Sequence, residues 1–133
     1  MQLLNSLSFG LIFLTGAYFF CFGILSIFRS NLAARFLLGF ATTAKLHYLE
    51  LLIRLAIGAA LIQYGPAMLF ANLVEVFAWT LIGTTTCIII VPWRLHHRFA
   101  QKFVPYANRY LKPIGVISIS LGVCVWTSLG LFQ

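Results

Sequence analysis

The sequence predicts an all-α integral membrane protein of four transmembrane helices, with short amphipathic helices in the membrane interface between them. Of its 133 residues 62% are apolar and only 8% charged, and the mean hydropathy is +0.99. A soluble domain of this length cannot hide so much apolar surface. The apolar residues also collect in four runs, each near the roughly 20 residues that cross about 30 Å of hydrocarbon. Within each run they are continuous rather than alternating, which favours helices over the strands of a transmembrane barrel. A single membrane domain over residues 1–133 is the simplest organisation, with no internal repeat and no low-complexity segment.

The first span is expected over residues 7–28. It has no basic leader and no small-residue cleavage site, and it outruns an ordinary signal-peptide core, so it is expected to stay in the mature protein. Residues 30–44 follow as a weakly amphipathic segment in which Asn31 caps a helix carrying Leu32, Phe36 and Phe40 on one stripe. The second span, 46–63, ends at Tyr64-Gly65-Pro66, read as a tight turn. The third span is placed at 67–91. Beyond Pro92, the residues Leu95, Phe99, Ala100 and Phe103 recur at helical spacing, with Arg94, His97, Arg98, Gln101 and Lys102 on the other face. That pattern predicts an interfacial helix over Trp93–Val104, bracketed by Pro92 and Pro105, within an interfacial segment reaching about residue 112. Pro113 then falls in the first turn of the last span, 114–132, where its missing N–H does no harm.

The net charge of +7 raises the question of nucleic acid, but the placement of the basic residues answers it differently. Arg29, Arg35 and Lys45 lie between spans one and two, and Arg94, Arg98, Lys102, Arg109 and Lys112 between spans three and four. Eight of the nine basic residues therefore fall in two loops that a four-span chain must put on one side. By the positive-inside rule that side is the cytoplasm, with both termini outside a bacterial inner membrane. The second loop, through Arg94, Arg98, Lys102, Arg109 and Lys112, is expected to lie against anionic lipid headgroups. So strong a loop bias also argues against an antiparallel dimer.

Glu50 and Glu75 are the only acids, and both fall inside expected spans. An ionisable group at bilayer depth costs several kcal/mol, within a disputed range of about 2.5–17, and so implies a partner or a task. Arg54 lies one turn after Glu50. A hairpin turning between Tyr64 and Gly65, with about 1.5 Å of rise per residue, sets Arg54 level with Glu75 near mid-membrane. A Glu50–Arg54–Glu75 cluster follows, bridged by the forked guanidinium, with a proton shared between the two carboxylates. His47 extends the same helical face. Such a row either locks helices together or carries protons.

Weaker signals complete the reading. Cys21, Cys87 and Cys124 are scattered without metal or disulfide spacing and read as small buried hydrophobes. His96 and His97 diverge by about 100° on a helix and cannot share a metal, and haem ligation by either with His47 needs the loop to fold back over the bundle. Thr84, Thr85 and Thr86 are expected to bond carbonyls one turn back, and Ala56-x-x-x-Ala60 and Ser118-x-x-x-Gly122 allow close helix approach. No catalytic triad, phosphate loop, metal motif or cofactor signature is present, so the chain is not expected to act as an enzyme on its own. The leading expectation is a non-enzymatic accessory or scaffold subunit. A small homo-oligomeric proton-coupled transporter is the alternative, and a quinone- or haem-associated redox subunit comes third.

Overall fold

The structure, a computed structural model, describes residues 1–40 and 42–131; the side chains of Phe40, His96, Ala100, Val104, Pro105, Ala107 and Asn108 lie outside the description. The described residues form α1 (Gln2–Phe28), α2 (Ser30–Phe40), α3 (Ala44–Tyr64), a 3-10 turn (Gly65–Ala67), α4 (Ala71–Ile90), α5 (Trp93–Asn108) and α6 (Leu111–Ser128), with no strand among them. Four helices, α1, α3 with its 3-10 extension, α4 and α6, are long and apolar enough to cross a membrane.

Several boundaries differ from expectation for identifiable reasons. Helix α1 starts at Gln2 rather than near Leu7, since the polar Asn5 is held inside it by accepting a bond from Gln63 Nε2 at 3.3 Å. Helix α2 starts at Ser30, so Asn31 sits in its first turn instead of capping it. Ala33, with Ala34 and Leu37 beside it, packs inward, while Leu32 stays exposed. Thr43 caps α3 by accepting the Leu46 N–H, which satisfies a donor that a helix start leaves unpaired. Helix α5 does not stop at Pro105 but runs to Asn108. Proline removes one backbone donor there, a loss that a helix on the surface tolerates better than a buried one.

The long helices pack in the order α4, α3, α1, α6, each against its neighbour. The contact between α1 and α6 is the most extensive and is set by glycine. A methyl group on Gly23 would stand 2.6 Å from the Gly115 carbonyl oxygen, one on Gly115 would stand 2.7 Å from that of Gly23, and one on Gly122 would stand 2.8 Å from that of Gly16. Two pairs of glycines seven residues apart, on antiparallel helices, thus bring backbone onto backbone, which maximises dispersion contact. Trp126 covers the end of this seam. Its indole N–H donates to the Phe13 carbonyl at 3.1 Å, and its ring lies against Phe13 and Phe20.

Helix α4 is held differently. It packs along α3 but shares no extended interface with α6, and of its side chains only Ala78 and Thr85 are buried. Helix α2 lies across one end, touching α1, α3, α5 and α6. Helix α5 rests on α2, with Leu95, Phe99 and Phe103 uncovered. Because α1, α3, α4 and α6 alternate in direction, the eight loop basic residues gather at this end. The 3-10 turn and the described termini are at the other.

Candidate functional site

Arg54 is the central residue of α3. It directs Nε and Nη2 at the same carboxylate oxygen, Oε1 of Glu50, at 3.0 and 2.6 Å. The pair spans one helical turn, where side chains four apart lie one above the other. It is not sealed: the side chains of Arg54 and Glu50 are 40% and 25% exposed. Tyr18 of α1 lies within electrostatic reach of both charges and packs with Phe22 and with Phe36 of α2. His47 shares the stripe, one turn toward the basic end, but is only 1% exposed and packs edge-on against Tyr48.

Glu75 does not join this group. It is exposed on α4, and among the described residues the only ion pair is that of Glu50 with Arg54. The expected three-member cluster is therefore a pair, and the length of the turn explains why. The chain does not reverse between Tyr64 and Gly65. It continues through the 3-10 turn, of which Pro66 is the second residue, to an extended and buried Met68, and α4 begins only at Ala71. The facing residues record the resulting register: Gly58 meets Ile82 and Ala78, and Gly65 meets Val74. Carried along both helices, that register sets Arg54 level with Thr84 and Glu75 level with Gln63. At about 1.5 Å per residue, some 13 Å of depth then separate Glu75 from Arg54.

A second feature lies on the same stripe of α3. Glu50, Arg54, Ile57 and Leu61 follow at four-, three- and four-residue steps, hence on one face. Ile57 and Leu61 line an apolar cleft of about 280 Å³, walled also by Ile12, Phe19, Phe77 and Val125 of the flanking helices. At the turn end it is bounded by Met68 and by Ser128, whose carbonyl accepts the Leu69 N–H at 3.0 Å. Thr15, one of its few polar lining residues, spends its hydroxyl on the Leu11 carbonyl. The cleft exists because α4 and α6 stand apart. No local sequence signal marks it.

The remaining sequence-predicted residues separate clearly. Arg94, Arg98, Lys102, Arg109 and Lys112 are exposed at the basic end, the first three on α5. His97 is half-buried against Trp93, and the His96 side chain lies outside the described residues. Among the described residues no group of three or more His, Cys, Asp or Glu could hold a metal. Thr84, Thr85 and Thr86 bond the carbonyls of Thr80, Leu81 and Ile82, one turn back in each case. The cysteines depart from expectation, since Cys21, Cys87 and Cys124 are all exposed. A thiol behaves as a small hydrophobe and loses little by facing outward among the mostly apolar exposed side chains of these helices. The chain matches no family model, no curated protein and no solved structure.

Proposed function

We propose that the chain is a non-enzymatic accessory subunit of the bacterial inner membrane, whose α4 seats a helix of a partner membrane protein. The observation that carries this reading is Glu75. It is an exposed acid on the least buried of the four long apolar helices, flanked by Val76, 66% exposed, and Trp79, 58% exposed. Some 13 Å from mid-span at about 1.5 Å per residue, it lies near the outer end of α4, where a carboxylate costs less than at the bilayer centre, but its apolar exposed neighbours still favour pairing it with a partner charge. A neighbouring helix bearing Lys or Arg at that depth satisfies it. The Glu50–Arg54 pair cannot fasten α3 to α4, because both members belong to α3.

In this reading α2 and α5 lie in the cytoplasmic interface, both termini face outward, and Arg94, Arg98, Lys102, Arg109 and Lys112 meet anionic headgroups. The alternative, a proton-coupled transporter, loses the paired acids that suggested it, since Glu50 and Glu75 stand at different depths. Purification in mild detergent tests the proposal. A stoichiometric membrane protein should travel with the wild-type chain and be lost with Glu75→Gln. Recovery of the chain alone, together with proton-dependent flux in vesicles, would favour the transporter.

A further inference from the structure

We propose that Arg54 and the apolar cleft, whose lining on α3 begins one turn away at Ile57, together bind an isoprenoid quinone, with its ring at Arg54 and its chain in the cleft. The inference rests on the four long helices crossing a bilayer, but not on any partner covering α4. Arg54 spends Nε and one Nη2 proton on a single Glu50 oxygen. Its Nη1 protons and the other Nη2 proton have no described partner, although the side chain is 40% exposed. At the midpoint of a spanning helix no water is at hand, so those donors call for an acceptor.

Three properties of the site select the acceptor's chemistry. The Glu50–Arg54 pair is already neutral, so a charged head such as a fatty-acid carboxylate would leave a net charge in hydrocarbon, whereas a carbonyl adds none. Arg54 is at mid-helix, a depth that a phospholipid headgroup does not reach but a neutral ring can. The cleft of about 280 Å³ holds some nine water-sized groups at about 30 Å³ each, which suits the first isoprene units of one chain. A transmembrane helix, about 10 Å across, is too wide for it. The rest of the chain leaves sideways between α4 and α6, which share no extended interface. Thr84 of α4, level with Arg54, keeps that level polar, although its own hydroxyl is spent on the Thr80 carbonyl.

Trp126, next to the cleft residue Val125, provides the readout. In a Trp79→Phe, Trp93→Phe background reconstituted in nanodiscs, decylubiquinone should quench Trp126 fluorescence saturably. Arg54→Lys retains the charge paired with Glu50 but not the fork, and should weaken the apparent affinity about tenfold, the equivalent of one charge-assisted hydrogen bond. Cys124→Phe fills the cleft from an exposed position and should abolish saturation. Unchanged helical circular dichroism and thermal melting in both variants would show that folding is not the cause. Absence of saturable quenching, indifference to either substitution, or relief of the quenching by equimolar palmitate would overturn the proposal.

Discussion

Arg54 and Glu50 form an ion pair that belongs entirely to α3, with two donors converging on one carboxylate oxygen. The pair is therefore made as soon as α3 is helical and needs nothing from α4. Removing one member leaves a lone charge at mid-span, whereas removing both leaves an apolar helix. Glu50→Leu should destabilise the protein by about 2.5–3.5 kcal/mol, the cost of an unpaired Arg at a helix centre, and Glu50→Leu with Arg54→Leu should recover most of that loss. Glu75→Leu should not lower the stability of the isolated chain. Unfolding in mixed micelles would check the three variants.

The α1–α6 seam gives a prediction of opposite sign at chemically identical residues. Gly23→Ala and Gly115→Ala each drive a methyl group into a facing backbone carbonyl and should cost about 1–3 kcal/mol or more through overpacking. Gly83→Ala meets nothing within 4 Å and should stabilise by up to about 1 kcal/mol through helix propensity. The same unfolding measurement would rank them.

The two halves of that seam differ from the hairpin in how far the sequence exposes them. Continuous apolar runs and the gathering of Arg29, Arg35, Lys45 and the second basic loop make the four long helices and their common end legible, since both are properties of composition along the chain. The seven-residue spacing of Gly16 with Gly23 and of Gly115 with Gly122 is also visible. Its meaning appears only when the two pairs face each other, because small residues are common in such helices. The turn misleads more seriously. Pro66 reads as a tight stop, while Met68, Leu69 and Phe70 read as the start of a span. In the structure Met68 is buried in an extended conformation and the Leu69 N–H is bonded to the carbonyl of Ser128, far along the chain in α6. That long-range contact lengthens the turn, shifts the register and dissolves the expected three-residue cluster.

The basic end gives a lipid prediction. With Leu95, Phe99 and Phe103 uncovered on α5, a spin label at Phe99 should be shielded from aqueous relaxation agents in vesicles. Replacing Arg94, Arg98 and Lys102 by Gln should reduce the preference for anionic lipid by about 1 kcal/mol per residue, or roughly a hundredfold in all. Lipid-selectivity measurements with spin-labelled phosphatidylglycerol would test the magnitude.

Topology follows from the same partition of charge. A reporter fused after Phe132 should register outside and one inserted near Lys102 should register in the cytoplasm. A cytoplasmic signal at the C-terminal position would reverse the assignment of both ends.

The exposed face of α4 around Glu75 is the centre of the account, and site-specific photo-crosslinking in intact cells tests it most directly. A photoreactive residue at Val76 or Trp79 should yield a discrete adduct with one membrane protein, sharply reduced by Glu75→Gln, while the same residue at Leu14, exposed on α1, should not. Equal adduct patterns at the α4 and α1 positions, or adducts at Val76 and Trp79 that contain only lipid, would contradict it.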